Sequence, residues 1–257
     1  MEIFFYIIIF LIGITFGSFY TLAVYRIPKG EDIVHTHSYC PNCNHKLGFL
    51  DLIPVFSYIF LGGKCRYCKK GIRPRYLILE IISGLFFVTV AYLLKLSIYD
   101  LQILNVIEYA FLTLYFTFII LIAGIDKENN KINNSVLIYG IIVSIMYMIY
   151  LYIKGQTSIY RYVIYLLLLI IISILKCLKS KNSEKNSYIY SILLVILIMC
   201  IFTGEYSIFV SAIALVIYYI FKYLSKNKEK NKYNKLGFLL SISNIVNFII
   251  LMYLRGK

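Results

Sequence analysis

An all-α, polytopic membrane helix bundle of about eight spans, broken by one long polar loop near the N-terminus, is the fold class this sequence predicts. Three observations lead there. Hydrophobic residues make up 61% of the 257 residues and mean hydropathy is +0.80, beyond an ordinary soluble domain. The apolar runs recur at the ~20-residue length that carries a helix across a bilayer, where every backbone polar group needs a partner inside its own segment. The long polar stretch, residues 28–75, holds two Cys-x2-Cys pairs.

Taken in order, the first run, from Ile3 to about Val24, is preceded by Glu2 instead of lysines and lacks a small-residue cleavage site, so it reads as a retained anchor. Residues 1–27 are this anchor, 28–75 the loop, and 76–257 the remaining membrane core. The candidate spans are 3–25, 76–96, 102–125, 135–153, 160–177, 187–202, 206–223 and 236–254. The sixth is short, and a run of that length spans, tilts or re-enters. Polar clusters such as Lys179–Ser187 and Lys226–Lys235 read as loops between spans, and no internal repeat stands out.

The net charge of +14 invites a nucleic-acid reading, but its distribution excludes one. Residues 28–75 carry eight Lys/Arg against Glu31, Asp32 and Asp51, for +5. Residues 176–185 carry four lysines and Glu184, for +3, and residues 222–235 six lysines and Glu229, for +5. Placing both termini outside collects these basic loops, and residues 126–134, on the cytoplasmic face against anionic lipid, leaving short, weakly charged outer connections near Asp100, Lys154 and Glu205. The partner this implies is a lipid bilayer. The excess of Ile, Lys, Asn and Tyr fits an AT-rich bacterial genome, hence a bacterial plasma membrane.

Cytoplasmic placement also decides the thiol chemistry. Thiols there stay reduced, so Cys40, Cys43, Cys65 and Cys68 read as ligands of one tetrahedral Zn²⁺ in preference to disulfides, and the loop as zinc-ribbon-like. The intervening residues 44–64 number 21, one more than the usual ribbon range. Iron suits the same four sulfurs. His35, His37 and His45 lie near enough to compete, or else cap turns and face water, while Cys177 and Cys200 sit in apolar spans as small packing residues.

The loop and its flanks resemble the type IV prepilin leader peptidases, membrane aspartic proteases that often also N-methylate the processed pilin. The resemblance rests on Gly17-Ser18-Phe19 through Arg26-Ile27-Pro28, with Thr21 near the family's usual Asn, and on Ser38-x-Cys40-Pro41-x-Cys43. It continues with Asp51-x-Ile53-Pro54-x-x-Ser57, Leu61-Gly62-Gly63-Lys64-Cys65-Arg66-x-Cys68, Arg75-Tyr76 and Glu80. Weaker likeness extends through Asp126 and returns at Leu236-Gly237-Phe238-Leu239. Each landmark has a structural alternative: Gly17 and Ser18 as close-packing positions, residues 51–54 as a turn, and Glu80 as a partner of Arg73 or Arg75.

The resemblance implies removal of a short basic leader from prepilin or pseudopilin precursors at the cytoplasmic side. Methylation of the new N-terminus with S-adenosylmethionine would follow. It implies two catalytic acids, one activating water and the other donating a proton. Asp126 matches the first, although the family's I-P-N a few residues later is Ile132-Asn133-Asn134 here. The second belongs to a GxGDxK motif that this chain lacks, its four aspartates being Asp32, Asp51, Asp100 and Asp126. Glu205, in Thr203-Gly204-Glu205-Tyr206, is the nearest local match but falls on the outer side unless the sixth span is re-entrant; Glu184 is the alternative on the correct side. The competing function is a catalytically degenerate member that binds prepilins or assembly components. A small transporter is disfavoured, because it leaves the cysteines without a role and shows no half-repeat.

Overall fold

The computed structural model describes residues 1–155, 159–180, 184–204, 206–224 and 235–256. Helices stand at all eight expected spans, with one short helix inside the loop: α1 (Glu2–Arg26), α2 (Phe56–Phe60), α3 (Arg75–Leu93), α4 (Ile103–Asn129), α5 (Asn134–Ile153), α6 (Ile159–Ser180), α7 (Glu184–Thr203), α8 (Tyr206–Leu224) and α9 (Leu236–Gly256). Among the described residues seven helices are long and apolar enough to cross a membrane, and the apolar stretch of α8, Tyr206–Ile220, is shorter. Strands are absent from the described residues apart from three isolated bridges. The protein is therefore an all-α, multi-pass membrane protein. Its chain divides into two compact units, Met1–Tyr109 and Ala110–Lys257.

In the first unit α1 and α3 run antiparallel, with the Tyr6 hydroxyl near the start of α1 donating to the Leu96 carbonyl just past α3 (3.0 Å). Glycine makes their approach possible. A Cβ on Gly17 would lie 2.6 Å from the Glu80 Cα, and one on Gly13 2.7 Å from the Gly84 Cα. Such contact between backbones is how membrane helices gain van der Waals energy where lipid supplies no hydrophobic drive. Pro28 and the left-handed Gly30 (φ 68°) then stop α1 after a short 3-10 turn.

In the second unit α7 packs against α5, α6, α8 and α9. In its membrane stretch 61% of residues are buried, against 6% in that of α6, so α7 forms the unit's centre and α6 lies at its periphery. The α7 core is aromatic as well as aliphatic: Phe202 is stacked between Tyr115 (4.2 Å) and Tyr147 (4.4 Å). The Tyr115 hydroxyl donates to Asn244 of α9, whose amide reaches the Thr203 hydroxyl at 3.4 Å, so buried polar atoms at this level satisfy one another. The sixth expected span is α7 itself, one continuous helix of 20 residues and ~30 Å, long enough to cross without re-entering.

Candidate functional site

Two clusters carry chemistry, one in each unit. In the first, the two cysteine pairs fold as copies of one knuckle. Cys40 N–H donates to the His45 carbonyl (3.0 Å) and Asn44 N–H to the Cys40 carbonyl (2.8 Å); Cys65 and Lys70 (2.9 Å), with Lys69 and Cys65 (3.0 Å), repeat the pattern. Asn44 (φ 55°) and Lys69 (φ 58°) both take the left-handed conformation that turns the chain back under its sulfurs. Bridges Tyr39–Lys46 and Lys64–Gly71 close each knuckle. The sequence hides this repeat, because its two copies share only the cysteine spacing.

All four sulfurs lie within 4.8 Å of one another, and Cys40 Sγ is 3.9 Å from Cys68 Sγ. A tetrahedron of ~2.3 Å zinc–sulfur bonds sets its sulfurs ~3.8 Å apart, so the donor set fits Zn²⁺ with little movement. Hydrogen bonds support the ligands from outside. The Asn42 amide donates to Cys68 Sγ (3.5 Å), and Lys70 Nζ donates to the Asn42 Oδ1 (2.7 Å), tying one knuckle to the other. The Lys70 backbone N–H and the Asn42 amide together pull the Cys68 thiol down to about 6, in the direction of the thiolate that a metal ligand must be. Two of the three histidines are engaged elsewhere: His35 with Asp32 (3.0 Å) and His45 against the Tyr67 ring (3.6 Å).

Several motif residues hold the loop. Arg26, 2% exposed, donates to the carbonyls of Asp32, Thr36 and His37. Asp51 accepts from Arg66 Nε (2.6 Å), Tyr67 and Gly48 N–H. Burial would raise the Asp51 carboxyl, but the Arg66 guanidinium and the Gly48 N–H outweigh it and hold that group below its ordinary range. Glu80 takes a role that neither Arg73 nor Arg75 had suggested. Its Oε2 accepts the Val55 N–H at 2.7 Å, and the Ser18 hydroxyl also donates to it. Val55 stands at φ 65°, ψ −54°, with Phe56 N–H on the Pro54 carbonyl (2.7 Å). This is the rarer, strained γ-turn, carried here by a β-branched residue.

The second cluster surrounds Asp126, which is fully buried near the end of α4. Its Oδ1 accepts from the Tyr188 hydroxyl (3.0 Å) in the first turns of α7, and its Oδ2 from Phe238 N–H (3.1 Å) at the start of α9. Gly237 permits that approach, since a Cβ there would stand 3.2 Å from the carboxyl carbon. The Leu236–Leu239 segment singled out in the sequence is thus an anion-holding helix N-terminus. Asn133, which replaces the family's proline, caps α5 by accepting the Ser135 N–H (2.8 Å), so the helix start survives the exchange.

Among the described residues, the hydrogen bonds to Asp126 come from a phenol and a backbone amide, none from a second carboxyl. Glu184 opens α7, four residues before Tyr188. Glu205 lies outside the described residues; Thr203, which ends α7, is ~22 Å along its axis from Tyr188. Reading the sequence alone missed Tyr188, which carries no motif, and marked Phe238 only as part of the Leu236–Leu239 likeness; both meet Asp126 only through the fold.

Residues 11–94 match the model of the Bacterial Peptidase A24 N-terminal domain. Over this first third, the chain is similar to the prepilin leader peptidases. It is 35% identical over 92 residues to the prepilin leader peptidase/N-methyltransferase of Klebsiella pneumoniae, covering 34% of this chain and 40% of that protein. The Myxococcus xanthus protein of the same name is 36% identical over 83 residues (32% of this chain, 25% of the relative), and that of Bacillus subtilis 38% over 80 residues (31% and 32%). The chain thus spans less than half the length of these relatives, and Asp126 lies beyond the matched domain. No solved structure matches the chain.

Proposed function

We propose that this multi-pass protein is a membrane-embedded aspartic endopeptidase that removes the basic leader of type IV prepilin-like precursors on the cytoplasmic side, with Asp126 as one of its two acids. The supporting observation is the setting of Asp126. It is a fully buried carboxylate, oriented from both oxygens, where α4 ends and α7 and α9 begin. Peptide hydrolysis needs a second carboxyl there, one group taking a proton from water while the other protonates the leaving amine. Glu184 is the preferred partner, because helical register sets it one turn from Tyr188; the uninterrupted α7 speaks against Glu205, whose role depended on re-entry. Cytoplasmic placement rests on the basic loops.

The four cysteines would hold Zn²⁺ as a closed structural centre, since four thiolates leave no site for a catalytic water. S-adenosylmethionine, when bound, would supply the methyl group for the freed N-terminus; no residue here is assigned to it.

One observation favours a second reading, a degenerate member that binds precursors without cutting them. Both Asp126 oxygens already accept hydrogen bonds, as a purely structural cap of α9 would require. Co-expression with candidate prepilins from the same genome separates the two. Cleavage that stops with Asp126→Asn and with Glu184→Gln, but not with Glu205→Gln, supports the peptidase; cleavage that survives Asp126→Asn excludes it. Binding without cleavage of any candidate supports the degenerate reading.

A further inference from the structure

The first unit carries an apolar patch where a polar loop would be expected to face water. On α2, Phe56 (47% exposed), Ile59 (62%) and Phe60 (84%) fall at i, i+3 and i+4, on one face of the helix. The adjoining turn adds Phe49 (83%) and Leu50 (64%). The opposite side of α2 is used internally, through Tyr58, whose hydroxyl donates to the Ile72 carbonyl and whose ring covers Gly63.

The depth of this patch follows from its anchor. The Glu80 carboxyl that binds Val55, immediately before α2, also takes the Ser18 hydroxyl. Ser18 lies eight residues, ~12 Å, back from the loop end of α1, and Glu80 five residues, ~7.5 Å, in from the loop end of α3. The chain entering α2 therefore doubles back beside the membrane helices. At that level α1 and α3 present outward-facing apolar residues of their own, Phe19 (42%) and Ile78 (54%). The loop's surplus of five positive charges suits an anionic leaflet.

From this geometry we infer that the cysteine loop is a membrane-seated module. Phe49, Leu50, Phe56, Ile59 and Phe60 lie in the boundary between headgroups and acyl chains, continuing the lipid-facing surface of α1 and α3. An interfacial helix buries its apolar face about 5–10 Å into that boundary, comparable with the depth of the anchor. The strained turn at Val55, latched by Glu80, lays α2 along the helix pair instead of letting it rise above it. The module would hold the metal knuckles against the leaflet surface, whatever the reaction in the other unit.

The chain contains no tryptophan, so a single introduced one reports alone. The full-length protein is reconstituted in vesicles of phosphatidylcholine and phosphatidylglycerol, with or without phospholipid brominated high on its acyl chains. Variants Phe60→Trp and Phe49→Trp are compared with His35→Trp, whose segment is held by Arg26 over the end of α1 and whose side chain is 86% exposed. Bromine should lower emission roughly twofold or more at positions 60 and 49 and leave position 35 nearly unchanged, with acrylamide quenching in the reverse order. Equal, weak bromine quenching at all three positions would overturn the inference. So would emission at 49 and 60 shielded from bromine and acrylamide alike, which would place protein (a second copy or a precursor helix) on the patch.

Discussion

The cysteine loop and the Asp126 cluster both hold polar groups beside a membrane, and they do so over very different distances along the chain. In each knuckle the supporting bonds join residues four or five positions apart, such as Cys40 with Asn44 and His45, and the sulfurs, with Asn42 bonded to Cys68 and Lys70, bring the two knuckles together. Asp126 instead takes its bonds from residues 62 and 112 positions away. The packing differs in the same sense. Glycines 13 and 17 let α1 and α3 touch backbone to backbone, whereas the second unit interleaves large rings around Phe202. A site of short-range bonds keeps its shape as long as its own loop is folded. A site assembled from three helices depends on all of them, and a small displacement of any one changes its geometry.

The sharpest way to break the comparison is at the long-range site. Asp126→Asn keeps an acceptor for Tyr188 or Phe238 but removes a proton-carrying group, so leader cleavage should fall about 10²–10⁴-fold while helix content by circular dichroism holds. A parallel loss of helix content would mean that Asp126 serves packing alone. At the short-range site, Cys65→Ser should take bound zinc from one ion per chain to none by elemental analysis. Limited proteolysis should then cut within residues 40–68 while leaving the membrane helices intact, because a loop this small folds with its metal.

Smaller effects test the supports. Gly17→Ala drives a methyl into the Glu80 backbone and should cost about 1–3 kcal/mol in thermal or denaturant unfolding in detergent. The same change at Gly155, with nothing within 4 Å, meets no neighbour, although its φ of 70° adds local strain. The finest test is pH. The Asp51 carboxyl is held below its ordinary range, so its contribution to loop order is present above the unfolded value of ~3.9 and lost as pH falls through the lowered folded value. The protease resistance of wild type over Asp51→Asn, measured with zinc bound, should therefore stay constant from neutrality down to the acid pH at which the loop releases its metal.

Much of this was legible in advance, for identifiable reasons. Apolar runs reveal spans because a bilayer requires each segment to satisfy its own backbone, and all eight expected helices are present. Cysteine spacing reveals a ligand set because a knuckle is local, and the four sulfurs do converge. Gly17 was readable as a close-packing position for the same reason of local chemistry. Other residues were opaque. Glu80 looked like a partner for nearby arginines, yet it binds Val55, 25 positions away, and nothing in a valine announces a left-handed turn. Tyr188 is one of 26 tyrosines, indistinguishable from the others until α7 sets it against Asp126.

By itself the sequence determined the class of protein, where its helices run and which four cysteines converge, since each depends on composition or spacing within a single segment. Only the tertiary structure decided what surrounds Asp126, which residue Glu80 holds and where α2 lies. Those are meetings between segments far apart in the chain, and a contact that has no local period or motif leaves no mark on the residues that make it.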